Sequence, residues 1–325
     1  MKMPSTRALL STACASALIL SSGIALAQRP PVRLAWTPSA DVPQIAVALE
    51  RGLWNAAGLD VSVVTFQSGR ESLEALVGGQ VDIAVIAEFP AATAALRGQS
   101  IAVVGDLSRY RANRIVTTAA NPTLASLAGQ KIGVTVGTNA QFQAETAMAA
   151  AGIQATIVNA SPSDLLQTLV RKDIDAAALF PAFVPRAKQL LAAQYREIPT
   201  PAYVTHFVVI GSTAFLKDHA KDVSTLLKGA IDADAIIEKE PQFAQQAVVK
   251  ATNGALPLAA VAAGWPDYEF RVVLRDDLLS LLAAEAGWIT AKGLVKASGP
   301  VADVVRGAVN PEFLRSIAPD RVSIK

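Results

Sequence analysis

The chain has 325 residues, 52% of them hydrophobic, with 29 basic against 27 acidic side chains and a single cysteine. So even a charge balance offers no electrostatic footprint for nucleic acid. One cysteine, at position 14, excludes a disulfide within the chain.

The first 27 residues read as a leader. Lys2 and Arg7 precede an apolar run from Ala8 to Leu20, and small residues then lead to Ala25-Leu26-Ala27. Basic, apolar and A-x-A regions in that order make a Sec-type signal peptide, with Gln28 as the first residue of the exported chain. The run is too short to serve as a permanent span. A lipoprotein reading, with Cys14 acylated, is the poorer alternative because Ser11-Thr12-Ala13 is a weak lipobox. Cleavage leaves about 298 residues with 27 bases against 27 acids and no cysteine, so thiol catalysis and thiolate metal sites fall with the leader. No later run approaches 18 apolar residues. The hydrophobic content owes much to alanine, as in helix-rich α/β packing.

Downstream, short apolar runs alternate with helical stretches. Val32–Trp36, Leu59–Phe66, Val81–Ala87 and Ile101–Gly105 read as strands, with helices at Pro43–Arg51, Glu71–Val77 and Pro90–Arg97 between them. Pro90 in a first turn and Gly98 after the last follow the asymmetry that helices prefer. Arg114–Thr118 is extended, Asn121-Pro122 is a break, and a second series begins. Its strands are Lys131–Val136, Ile153–Asn159 and Ile174–Phe180; its helices are Gln141–Ala151 and Ser163–Arg171. Tyr203–Gly211 reads as a strand carrying the chain back. Beyond Thr213 the pattern is mostly helical, at Lys221–Glu238, Pro241–Ala251 and Leu274–Ile289. Strands and helices alternating at this length predict parallel sheets built from βαβ units.

One unit occurs twice. Leu73, Leu76, Val77, Asp82 and Ala84 recur as Leu166, Leu169, Val170, Asp175 and Ala177, always 93 residues on. Each copy is a helix end, a polar turn, an Asp, an apolar strand and a new helix. The prediction is two α/β lobes joined by two crossover strands. The first lobe is expected at 28–118 and the second at 119–207, with 208–325 returning to the first lobe and adding helices.

In open α/β sheets ligands bind beyond the carboxyl ends of the strands, where helix N-termini present free amides. That selects the turns Trp36–Asp41, Gln67–Arg70, Glu88–Pro90, Gly137–Asn139, Ser161–Ser163 and Phe180–Phe183. Gly137-Thr138-Asn139 suits an anion, and equally a plain capped turn; no Gly-Lys-Ser/Thr follows, so it is no Walker loop. Glu88 ends an apolar strand, where a carboxylate is costly without a partner. It reads either as a ligand for an amine, hydroxyl or ring N–H, or as a first-turn acid favoured by the helix dipole. Arg70, Arg109, Arg111 and Arg114 face an anion or are only solvated. His206 reaches the cleft or is a satisfied core histidine. Trp36, Phe89, Phe180 and Phe183 form an apolar wall or pack the core. His206 and His219 cannot assemble a multi-histidine metal site, and no G-x-S-x-G, H-E-x-x-H or dinucleotide fingerprint occurs.

The segments ALERGLWNAAGLDV (48–61), LEALVGGQVDIAVIAEFPAATAALRG (73–98), LAGQKIGVTVGTNAQF (127–142) and SPSDLLQTLVRKDIDAAALFPAF (161–183) come in a specific order. With Leu281–Gly293, including Glu285 and Trp288, they resemble periplasmic substrate-binding proteins of ABC importers of the aliphatic sulfonate, taurine and nitrate type. The resemblance implies a type II periplasmic-binding fold, no cofactor, a monomer, and ligand capture between the lobes for delivery to a permease. It implies ligand contacts from Gln67, Ser68, Glu88, Phe89, Gly137, Thr138, Phe180 and Pro181, with Trp36 and His206 as further candidates. The sequence departs from the sulfonate pattern at Ala87-Glu88-Phe89-Pro90, where an acid and an aromatic suit a zwitterion, an amine or a heterocycle better than a plain anion. Two alternatives stay open. One is an enzyme on the same scaffold, related to thiamine-pyrimidine synthases, although those carry a cysteine-rich motif. The other is a periplasmic sensor subunit.

Overall fold

A computed structural model describes residues 30–111 and 113–324; the expected leader and Cys14 lie outside the described residues. The strands are β1 (Val32–Trp36), β2 (Val61–Thr65), β3 (Ile83–Ala87), β4 (Ile101–Tyr110), β5 (Arg114–Thr117), β6 (Lys131–Val134), β7 (Thr156–Asn159), β8 (Ala176–Leu179), β9 (Arg196–Ile198), β10 (Thr205–Ser212) and β11 (Tyr268–Val273). They form a six-stranded sheet in the order β11-β4-β10-β3-β1-β2 and a five-stranded sheet in the order β7-β6-β8-β5-β9. In each sheet the βαβ strands run parallel (β2, β1, β3 and β7, β6, β8), and the returning strands run antiparallel to them.

The chain passes between the sheets after β4, which ends at Tyr110, and again at 199–204. The first passage comes earlier than the boundary expected at 118. Arg114–Thr117 pairs with β8 and β9 and so belongs to the second sheet. The return is also earlier than 207, because Thr205 already pairs with Tyr110 in the first sheet.

The repeated motif has a structural role in both copies. Asp82 accepts the Arg33 backbone N–H at 2.8 Å and returns its own N–H to the Arg33 carbonyl at 2.9 Å. Asp175 makes the same pair of bonds with Lys131, both at 2.8 Å. Each Asp thus braces the start of the neighbouring parallel strand, and the helix before it packs its leucines on the sheet.

Two departures from the expected elements have one cause. β4 runs to Tyr110 rather than stopping at Gly105, and all ten of its residues are buried. Its second half carries Asp106, Ser108 and Arg109, which read as loop because buried polar residues are rare unless partnered. Here they are partnered: Arg109 binds Asp106 and Glu269, each at 2.9 Å, and Ser108 donates to the Asp41 carbonyl. Glu269 comes from β11, the edge strand that the helical pattern beyond Thr213 concealed.

The second sheet is covered on both faces. Ile115, Ala176 and Ala178 face the helix Asn139–Ala150, while Val116, Ala177 and Leu179 face Pro162–Val170 and Val184–Leu191. That is the period-two alternation of a strand. The first sheet anchors a larger core to which the helix Ala220–Lys239 contributes Val223, Leu226, Leu227 and Ala230.

Candidate functional site

The turns that follow the parallel strands of both sheets meet across one cleft. Thr37, Ser39 and Asp41 come after β1, Gln67, Ser68 and Gly69 after β2, and Ala87 and Pro90 frame the end of β3. The second sheet contributes Thr138 and Asn139 after β6 and Phe180, Ala182 and Phe183 after β8. Tyr110 and Phe207, beside the two passages between the sheets, close the back. The space between them, partly open to solvent, is about 40 Å³, room for roughly three water molecules. An organic solute of many atoms therefore needs the sheets to part.

Direct bonds hold them together. Ser163 donates to Gln67 Oε1 at 2.9 Å, Asn139 Nδ2 to Thr205 Oγ1 at 3.0 Å, and Lys292 pairs with Glu145 at 2.7 Å. Behind the cleft, Phe142 of the second lobe packs on Phe89, Tyr203 and Trp288 with centroids 5.5–5.8 Å apart. The few polar bonds and the aromatic contact form a face that separates more cheaply than either core.

Of the expected contacts, Gln67, Ser68, Thr138 and Phe180 line the cavity. Six do not. Glu88 is fully buried behind the wall: its Oε1 accepts from the Tyr203 hydroxyl and its Oε2 from the His206 N–H at 2.8 Å. Tyr203 has one hydroxyl proton, yet its oxygen also lies 2.7 Å from Glu285 Oε1. Two carboxyls on one hydroxyl require a further proton. Glu285 holds it, raised well above the usual range by burial and by the charge of Glu88. Phe89 belongs to the aromatic cluster just described. His206 turns to Asp106, with 2.9 Å between Nδ1 and Oδ2. Burial opposes its charge, but the bond and charge of Asp106 outweigh that and raise its pKa above 6.5. Trp36 is core, and its indole N–H has no partner among the described residues. Pro181 faces a neighbouring groove with Arg114 and Glu197.

Gly137, expected to present free amides to an anion, has already used its own. Its N–H is accepted by Gln141 Oε1 at 2.8 Å, and the N–H of Val136 by Asn159 Oδ1 at 3.0 Å. Its φ of +82° is the left-handed conformation that glycine permits. Two of the four arginines are committed elsewhere, Arg109 as above and Arg114 to Glu197 at 3.2 Å; Arg70 lies 3.8 Å from Glu74 on the surface, with its side chain against Gly137, and Arg111 lines an outer pocket with Asn113. Among the described residues, the cavity lining contains no lysine or arginine.

Asp41 ends a turn that the sequence selects, Trp36–Asp41, without standing out in it. It is 4% exposed, and its Oδ1 accepts from the Tyr268 hydroxyl at 3.1 Å. Burial pushes its pKa up to about 7, against the opposing hydrogen bonds from Tyr268 and Ser39. Tyr268 and Tyr110, whose rings lie 5.6 Å apart, have hydroxyls raised by burial and then by the charge of Asp41, so both stay neutral. The available signal was a short polar pair, Ser39 and Asp41, between an apolar strand and a largely apolar helix, Pro43–Glu50. Tyr110 and Phe207 had no such signal, because both lie inside strands.

The chain matches the family described as NMT1/THI5 like over residues 39–244. A protein of Brucella abortus (strain 2308) that carries only the generic name of a binding protein is 28% identical over 177 residues, 53% of this chain and 55% of that protein. The chain thus spans about half the length of the curated relatives it matches. The alkanesulfonate-binding protein SsuA from Xanthomonas axonopodis pv. citri, solved bound to MOPS, superimposes with a TM-score of 0.73 at 19% identity, over 88% of this chain and 99% of that one. The periplasmic nitrate-binding protein NrtA from Synechocystis PCC 6803 does so with a TM-score of 0.70 at 14% identity, over 89% and 88%. At these identities the likeness establishes the fold: two lobes of the periplasmic-binding type.

Proposed function

The chain belongs to the NMT1/THI5-like family, and from that membership and its cleft we propose that it is the solute-binding subunit of an ABC importer. It captures a small organic ligand between its lobes as a monomer, without turnover or cofactor, and delivers it to a permease in the inner membrane. Its leader, residues 1–27, directs it to the periplasm and is cleaved. The observation that carries this reading is the shared cavity: strand-end turns from both sheets line one space too small for an organic ligand until the lobes part. Such a cavity couples binding to a hinge, and the hinge state is what a permease can read. The names of the Xanthomonas and Synechocystis proteins support the solute-binding role. No helix among the described residues is long and apolar enough to cross a membrane, in keeping with a subunit that meets its permease from outside the bilayer.

Native mass spectrometry of the purified chain, with thermal shift against amines, amino acids, sulfonates, carboxylates and nitrate, tests it. One bound molecule per chain and a melting temperature rising with the logarithm of ligand concentration are expected. Absence of any one-to-one adduct and of any shift overturns it, and consumption of the bound molecule moves the reading to an enzyme.

A further inference from the structure

We propose that Asp41 is the specificity determinant of the cleft and that the ligand carries a cationic nitrogen, an amine or amidine whose N–H groups pair with this carboxylate. The inference rests on the ligand-capture reading and narrows it to one chemistry. Asp41 is the only carboxylate in a cavity lining that, among the described residues, holds no lysine or arginine. The nearest basic groups behind it are neutralised: Arg109 by Asp106 and Glu269, His206 by Asp106. At the second sheet the N–H groups of Val136 and Gly137 are taken by Asn159 and Gln141. A sulfonate or nitrate entering here would meet an acid and find no countercharge, and a desolvated like-charge contact is strongly unfavourable. A cationic nitrogen meets a carboxylate in a lining that also holds the aromatic Tyr110, and a ring near a cation adds attraction.

Ionisation gives the inference a signature independent of any variant. The titratable groups facing Asp41 are the Tyr268 hydroxyl on Oδ1 and Tyr110, both neutral across the physiological range. Binding of a cation selects the carboxylate, so affinity rises with pH; binding of an anion selects the protonated acid, so affinity falls.

The experiment uses probes matched in shape and opposite in charge: benzamidine and benzoate, with phenethylamine against ethanesulfonate and nitrate. Titrations of the purified chain are run at pH 6 and pH 8. Expected is binding of benzamidine or phenethylamine, tightening about tenfold from pH 6 to pH 8 as Asp41 ionises. Asp41→Asn then weakens the amine by at least about tenfold and abolishes the pH dependence. Binding of benzoate, ethanesulfonate or nitrate in preference to the amines leaves ligand capture standing and overturns the inference. Amine binding that does not vary between pH 6 and pH 8 also overturns it. No response to either charge, with no copurifying solute, overturns both.

Discussion

A carboxyl kept in the cleft for a ligand should cost the empty protein stability, and the cost at Asp41 can be worked out. Its pKa stands at about 7 in the folded chain against 3.8 when solvated. The folded chain therefore holds this proton more tightly than the unfolded chain does. Folding is penalised as pH rises above 3.8, and the penalty is complete above about 7. At about 1.4 kcal/mol per tenfold change in proton affinity, the loss is roughly 1.5 kcal/mol at pH 5 and on the order of 4 kcal/mol at pH 8. Asp41→Asn removes the charge while its amide oxygen can still accept from the Tyr268 hydroxyl. The variant should thus be more stable than the parent, and the gain should grow from pH 5 to pH 8. Urea unfolding of both proteins at the two pH values, without ligand, measures it. A gain that is equal at both pH values, or a variant less stable at pH 8, would refute the reasoning. Stability withheld at a binding position is a common trade.

Two further substitutions separate the cleft from its supports. Glu88→Gln replaces an acceptor of both the Tyr203 hydroxyl and the His206 N–H, so it should cost about 1–3 kcal/mol in urea unfolding. It should leave ligand affinity nearly unchanged, and a large loss of affinity at unchanged stability would return Glu88 to the binding surface. Gly229→Ala places a methyl group 2.4 Å from Trp54 Nε1, whose N–H donates to the Leu226 carbonyl. Overpacking there should cost about 1–3 kcal/mol, outweighing the helix propensity gained; an unfolding midpoint at or above that of the parent would contradict it.

The fold was legible where apolar periodicity ruled. β1, β3 and the helices between them follow buried runs, and the paired aspartates, Asp82 and Asp175, announced two similar halves because each sheet needs the same brace. Legibility failed where polar side chains were buried in pairs. Asp106 and Arg109 look like loop residues until β10 and β11 arrive with His206 and Glu269, partners 100 and 160 residues away. The cleft followed the same division. Strand-end turns were found by rule, so Gln67, Ser68, Thr138 and Phe180 were named. Glu88 looked exposed to ligand because its partners, Tyr203 and Glu285, are far off in the chain. Asp41 looked ordinary because what raises its pKa is its burial beside Tyr268, a residue 227 positions away in the chain.

The central claim is that one ligand touches both lobes at once. Hydrogen exchange of the purified chain, with and without the strongest binder of the thermal-shift panel, tests it most directly. Added protection is expected in 37–41 of the first lobe and in 138–142 and 180–184 of the second, appearing together at the same ligand concentration. Protection confined to one lobe, or lying at the outer groove around Arg114, Lys188 and Glu197 instead, would contradict it.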